Sequence, residues 1–208
     1  MSWEFLCSLD LPTYPSLVRE FYSSLTRGSG GFTYTIRGVP ITIIEILVSR
    51  ILQMSNEGIT PSTHSDKEST LKLILGRDEV NPLEVISVGQ LSIEMRLLHN
   101  FISRIFIPRT GRFDWVSEWD LAFMKKVIKG EAINLPYIMI SQMKKTTRKA
   151  NTCLPYGMVF ILLFEAAHVN LEGEDNRQLH HTDTYSTKSL IRMGYHLSNG
   201  QWKKKISR

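Results

Sequence analysis

A chain of 208 residues and 23.9 kDa, with 25 Lys and Arg against 20 Asp and Glu, carries a formal charge of +5; 42% of its residues are apolar and 22% charged. The length suits one domain, or one domain with a small appendage, and the apolar fraction excludes a disordered chain. Two cysteines exclude a disulfide framework and a four-cysteine zinc site.

The first periodic segment is TYPSLVREFYSSL, residues 13–25. Leu17, Val18, Phe21, Tyr22 and Leu25 fall on one helical stripe. Glycines 28, 30 and 31 break that helix, and FTYTI then alternates apolar and polar residues with strand periodicity. Arg37-Gly38 suits a hairpin turn, and Pro40 keeps the second arm short or at an edge. Thr42 and Glu45 match a capping box, in which the hydroxyl and the carboxylate each bond the other residue's main chain. This predicts a helix from Thr42 to about Met54 that buries Ile43, Leu47, Ile51 and Met54. The polar stretch 55–69 reads as a loop, followed by a short helix at 71–75 that stops at Gly76.

A long helix is predicted over 88–107, with Leu91, Met95, Leu98, Ile102 and Ile105 as its stripe and Pro108 as its end. The loop PRTGRFDW leads to Ser117, an N-cap residue, and to a helix running to Lys129 and closed by Gly130. Asn134 caps the next helix, where Pro136 is tolerated in the first turn; this helix buries Ile138, Met139 and Met143 and emerges as the basic run Lys144, Lys145, Arg148, Lys149. Another helix spans about 155–168. A helical turn or two is expected near 188–193, and Asn199-Gly200 between alternating apolar residues signals a second hairpin. The fold class expected is mainly α: a single domain of about six helices with two small β-hairpins near 32–43 and 195–203. The helical domain is placed at 1–173 and a polar C-terminal extension at 174–208. The expected core includes Phe21, Ile43, Leu47, Leu98, Ile102, Phe106, Leu121, Met124, Ile138, Phe160 and Leu163.

The opening residues carry Glu4 and Asp10 and no apolar run of signal-peptide length. Leu154 to Val169, the most apolar stretch, is interrupted by Pro155, Gly157, Glu165 and His168, short of the roughly 20 apolar residues that a membrane helix needs. These features read as a soluble intracellular protein, in nucleus or cytoplasm, with Cys7 and Cys153 as free thiols.

Candidate chemistry is sparse. Asp114, Asp120 and Glu131 are near one another in sequence, but two-metal catalysis needs acids that converge on ions about 4 Å apart. Their expected positions are a loop, a first helical turn and a helix connection. Asp120 is better explained by the positive end of a helix dipole. His180 and His181, with Asp183 and His168 nearby, lack the spacing of a zinc site, and His64 and His99 stand alone. The chain has no GxSxG elbow, phosphate loop or dinucleotide fingerprint. No catalytic residue, metal ligand or cofactor is therefore assigned. Cations form the one candidate binding set: Arg104, Arg109 and Arg112 around the aromatic loop with Phe113 and Trp115; Lys144, Lys145, Arg148 and Lys149; and Lys203, Lys204 and Lys205. Cations beside aromatic rings can neutralise phosphates and stack on unpaired bases, although a helix C-terminus also favours cations on its own account.

REFYSSL, IRGVPITI, the segment LHNFISRIFIPRTGRFDWVSEWDLAFMKKVIKGEAINLPYIMISQMKK, and LPYGMVFILLFEAAHVNLEGE, taken together, resemble the plant transposon protein domain family. The resemblance runs from about Leu17 to Lys205 and is most specific over Leu98 to Ile140. It implies a plant origin and descent from a mobile element, and it brings no catalytic residues with it. The cysteine–histidine knuckle of many retroviral-type capsid polyproteins is missing. The function expected is a non-catalytic, helical, element-derived domain acting by assembly with itself or other proteins. The alternative is an accessory module that binds DNA or RNA non-specifically through the basic clusters. No membrane partner is expected.

Overall fold

The order of elements follows from where apolar stripes stop and glycines or prolines intervene. The computed structural model describes residues 11–24, 26–28, 31–58, 60, 66–146, 154–178, 187–192 and 194–204. Helix α1 (Pro15–Ser23) leads into strands β1 (Thr26–Gly28), β2 (Gly31–Ile36) and β3 (Val39–Ile43), then α2 (Glu45–Ile51) and α3 (Lys67–Leu75). A single 3-10 turn (Val88–Gln90) precedes α4 (Ile93–Phe101), which widens into a π turn (Ile102–Phe106). Helices α5 (Glu118–Ile128), α6 (Leu135–Thr146), α7 (Gly157–Ala166) and α8 (Thr187–Arg192) follow, and strands β4 (Tyr195–Ser198) and β5 (Gln201–Lys204) end the described chain. The protein is mainly α, with eight α-helices among the described residues rather than about six; the short α3 and α8 account for the difference.

Both predicted hairpins form. β2 and β3 pair antiparallel with Ile36 opposite Val39, so Arg37 (φ 47°) and Gly38 (φ 79°) make a two-residue turn with both φ angles positive. Pro40 is in β3, an edge strand, where its missing N–H leaves no gap in a ladder. β1 adds three residues to the other side of β2, in a stretch expected to be only a glycine-rich break. In β4–β5, Asn199 (φ 52°) and Gly200 (φ 74°) repeat the turn, with Ser198 opposite Gln201.

The sheet packs on α1, and α1 on α7, through aromatic rings. Phe21 stacks on Tyr34 with centroids 3.8 Å apart and lies 4.2 Å from Phe160. Two tyrosines anchor the start of α7: Tyr22 Oη of α1 donates to Pro155 O at 3.0 Å, and Tyr156 Oη to Phe106 O at 2.7 Å. These two bonds flank Tyr156, which has a left-handed conformation (φ 63°) that is uncommon for a bulky non-glycine residue. The C-terminal region reaches back to this body. Thr13 and Arg177 exchange main-chain bonds of 2.8 and 2.7 Å, and Arg37 pairs with Glu174.

Four local expectations are corrected. Thr42 does not cap a helix: it stays in β3, where its hydroxyl meets that of Thr33 at 3.1 Å, and α2 begins only at Glu45. Strand pairing of Ile43 with Phe32 wins over the capping box. Helix α3 starts at Lys67, inside the stretch expected to be loop, because Asp66 caps it by accepting from Ser69 N at 3.3 Å. The single helix over 88–107 is three pieces, since Ser92 caps α4 and Leu91 is extended before it. Finally, Leu47 and Leu98 are only partly buried at the margin of the core, while the other expected core residues are buried. The buried face of α4 and its π turn carries Arg96, His99 and Ser103 beside the expected Ile102 and Phe106, while Met95, Leu98 and Ile105 of the stripe are only partly buried. Two strongly polar side chains, Arg96 and His99, are therefore buried next to the stripe positions Met95 and Leu98.

Candidate functional site: a cationic aromatic cleft

Those two polar side chains line a cleft between α4 and the loop 107–117. Pro108 follows the π turn, and Gly111 (φ 75°) and Arg112 (φ 53°) reverse the chain. The returning arm pairs with the segment before α4: Val88 N donates to Asp114 O at 2.8 Å, and Val116 N to Ile86 O at 2.9 Å. Ser117 then starts α5 with a capping box. Its Oγ accepts from Asp120 N at 3.2 Å, while Asp120 Oδ2 accepts from Ser117 N at 2.7 Å.

Beneath the loop, Asp120 is 1% exposed and His99 is 2% exposed. Asp120 Oδ2 accepts from Arg109 Nη1 at 2.6 Å and from Ser117 Oγ at 2.7 Å, with His99 Nε2 at 3.4 Å. Burial pushes the Asp120 carboxyl up, but the His99 contact, the Arg109 charge and the Ser117 bonds together hold it below its ordinary value. Arg109 Nη2 lies 3.1 Å from His99 Nε2 and donates to Trp115 O at 3.0 Å. One buried carboxylate thus fixes a guanidinium, and that guanidinium fixes the main chain of Trp115.

Above this layer Arg104, Asp114 and Trp115 are exposed. The cleft encloses about 520 Å³ and is lined by Arg96, His99, Asn100, Arg104, Phe113, Asp114 and Trp115, with Ser87, Val88 and Gly89 at its end. The Arg104 guanidinium sits 4.3 Å from the Phe113 ring centroid, and its Nε donates to Asn100 Oδ1 at 2.8 Å. Arg96 Nε donates to Val88 O at 3.1 Å, and its guanidinium lies 5.2 Å from the Tyr195 ring on β4. Trp115 is 45% exposed although its backbone is pinned. Asp114 adds an acceptor to an otherwise cationic rim.

The ten candidate cations separate in space. Arg104 is in this cleft, and Arg109 lies under it, committed to Asp120. Arg112 is exposed on the loop tip. Lys144 Nζ is 4.0 Å from the Phe32 ring, against the sheet, and Lys145 Nζ is 4.9 Å from the Trp119 ring on α5. Lys203 is exposed on β5, opposite His196, and Lys204 ends that strand. Arg148, Lys149 and Lys205 lie outside the described residues, as do Cys7, Cys153, His64, His180, His181 and Asp183.

The three acids do not share a site. Asp120 is at the start of α5 and Glu131 lies past its end, with about 12 Å of helix between Asp120 and Ile128. Glu131 pairs with Lys126, which holds its carboxyl below the usual range. Among the described residues, no group of three or more His, Cys, Asp or Glu is placed to hold a metal ion. Sequence reasoning missed Arg96 and set His99 aside as a lone histidine, because a helix is read by its apolar stripe. The usable signal was their spacing of three, which puts both on one face.

No described helix is long and apolar enough to cross a membrane. Neither the curated proteins nor the solved structures contain a match to this chain. Residues 1–170 match the family described as Putative plant retrotransposon-related domain, a span that contains the cleft and its buried ion pair, and the chain belongs to that family.

Proposed function

We propose that this mobile-element-derived domain is a non-catalytic binding module whose cleft takes single-stranded nucleic acid. The observation that carries the reading is the exposed indole of Trp115 on a pinned backbone beside Arg104, itself stacked on Phe113. A flat, held ring next to guanidinium groups suits an unpaired base and the phosphates that flank it, and stacking of this kind tolerates any sequence. A duplex hides its base faces, so the cleft favours single strands.

The test is a salt titration of the full chain with a labelled 12-nucleotide single strand and the matching duplex, read by fluorescence anisotropy. Single-strand binding at about 50 mM salt that weakens steeply as salt rises is expected. Trp115→Ala should weaken it about tenfold, and Arg104→Gln should reduce the salt slope by about one contact. Equal affinity of wild type and Trp115→Ala, or no binding at low salt, would remove the proposal.

A second reading, assembly with other protein chains, has its own support. Leu83 is 86% exposed and Val85 67% exposed, on a segment that the Arg77–Glu84 ion pair (3.3 Å) ties to the end of α3. Exposed aliphatic side chains on a braced segment suit an apolar contact. Light scattering across micromolar to near-millimolar protein decides it: a strict monomer throughout counts against assembly, whereas association abolished by Leu83→Asp supports it.

A further inference from the structure

The loop 107–117 has a second side. There, between α5 and α6, a cavity of about 570 Å³ presents two more exposed rings, Trp119 at 41% and Tyr137 at 46%. Lys145 closes over the indole, its Nζ 4.9 Å from the ring centroid. Gln142 Nε2 donates to Pro108 O at 2.8 Å, which anchors α6 to the loop and keeps the cavity's walls in register. None of the described residues lining it is an acid.

The two sides share their dividing wall. Arg109 lines this second cavity while its Nη2 holds the Trp115 carbonyl of the first cleft. Trp115 and Trp119 are four residues apart in the chain, so their Cα atoms are at most about 14 Å apart. At a rise of about 3.4 Å per stacked nucleotide, that span is covered by at most about four nucleotides.

We propose that the cavity between α5 and α6 is a second base-stacking subsite, in which Trp119 and Tyr137 take a base and Lys145 an adjacent phosphate of the strand whose other base lies on Trp115. The inference rests on the single-strand reading of the first cleft and adds to it a site size and a direction across the loop. Aromatic faces offer stacking to any base, the lysine offers the counter-charge, and the absence of a lining carboxylate leaves the phosphate unopposed.

The experiment measures binding of a 12-nucleotide oligouridylate by the full chain and by Trp115→Ala, Trp119→Ala, their double variant and Trp119→Phe. Trp119 is exposed, and circular dichroism of each variant confirms that it retains the fold. Two subsites on one strand predict that each alanine variant loses about tenfold, that the double variant loses close to the product, and that Trp119→Phe retains most of the affinity because it keeps a ring. Unchanged affinity in Trp119→Ala together with loss in Trp115→Ala overturns the second subsite and leaves the first. Equal loss in Trp119→Ala and Trp119→Phe overturns stacking at this position. No loss in either single alanine variant overturns both readings together.

Discussion

Arg109 and Asp120 meet at 2.6 Å at the base of a loop that carries the exposed Trp115, and the contact joins the loop's first arm to the first turn of α5. Asp120 is 1% exposed and would be an isolated buried charge without its partner. Desolvation of such a pair consumes most of its Coulomb attraction, so its net stabilisation is modest, while loss of one member is severe. The pair is best understood as a device that selects one loop conformation, because Arg109 also reaches the Trp115 carbonyl at 3.0 Å.

Removing the charge from one side should therefore be felt strongly. Arg109→Met leaves the Asp120 carboxylate buried and without its cation, and should cost about 3–5 kcal/mol in denaturant unfolding. Arg109→Met combined with Asp120→Asn removes both charges and should recover part of that loss. A double variant no more stable than Arg109→Met alone would show that the pair is not coupled as described.

The same carboxyl gives a pH dependence with a definite sign. Its folded pKa lies below the unfolded value, so its contribution to stability is present above about pH 4 and fades as pH falls through the folded pKa. Thermal melts between pH 6 and pH 3 should show the midpoint of wild type falling more steeply at the acid end than that of Asp120→Asn. Parallel curves would mean that Asp120 is not held in its ionised form by the fold.

Much of this architecture is legible along the chain where one local signal acts without competition. Arg37-Gly38 and Asn199-Gly200 make their turns because positive φ at both positions suits a two-residue hairpin and no other contact contests it. Ser117, Gly130 and Asn134 mark helix ends for the same reason, with Asn134 Oδ1 accepting from Tyr137 N at 3.0 Å. The capping box at Thr42 fails because a longer-range pairing, Ile43 with Phe32, claims the same residues. The site is harder to read. Arg109 looks like one cation of a surface cluster until Asp120 on α5 and His99 on α4 are brought to it, and Leu98 looks like core until Arg96, His99 and Ser103 take the buried face. Periodicity cannot show that polar groups on a buried face satisfy one another.

The aromatic contact between α1, β2 and α7 should dominate the core energetics. Phe160 is fully buried and within 4.2 Å of the Phe21 ring centroid, so Phe160→Ala removes contacts on several sides and should cost about 3–5 kcal/mol. Leu98→Ala, at the margin of the core, should cost clearly less, since part of its surface is already in water. Denaturant midpoints for the two variants at equal m-value provide the comparison. A larger loss for Leu98→Ala would place the centre of the core at α4 instead.

Glycine 58 offers the sharpest backbone test. It has φ +121°, and a Cβ built there would lie 2.7 Å from both the carbonyl carbon and the oxygen of Ala132, and 2.9 Å from Ile133 N. These are main-chain atoms of the α5–α6 connection, and they cannot swing aside as a flexible side chain would. Nearby, Asn134 Nδ2 donates to Asn56 O at 2.5 Å and to Glu45 Oε2 at 3.1 Å, so the segment before Gly58 is tied to the start of α6. Gly58→Ala must then combine a disfavoured backbone conformation with overlap against fixed atoms, and should cost about 3 kcal/mol or more. Gly38→Ala supplies the control: φ is +79° but nothing lies within 4 Å of the added methyl, so only the conformational penalty of about 1–2 kcal/mol remains. Unfolding midpoints in which Gly58→Ala is no worse than Gly38→Ala would show that the segment around residue 58 does not pack against the α5–α6 connection.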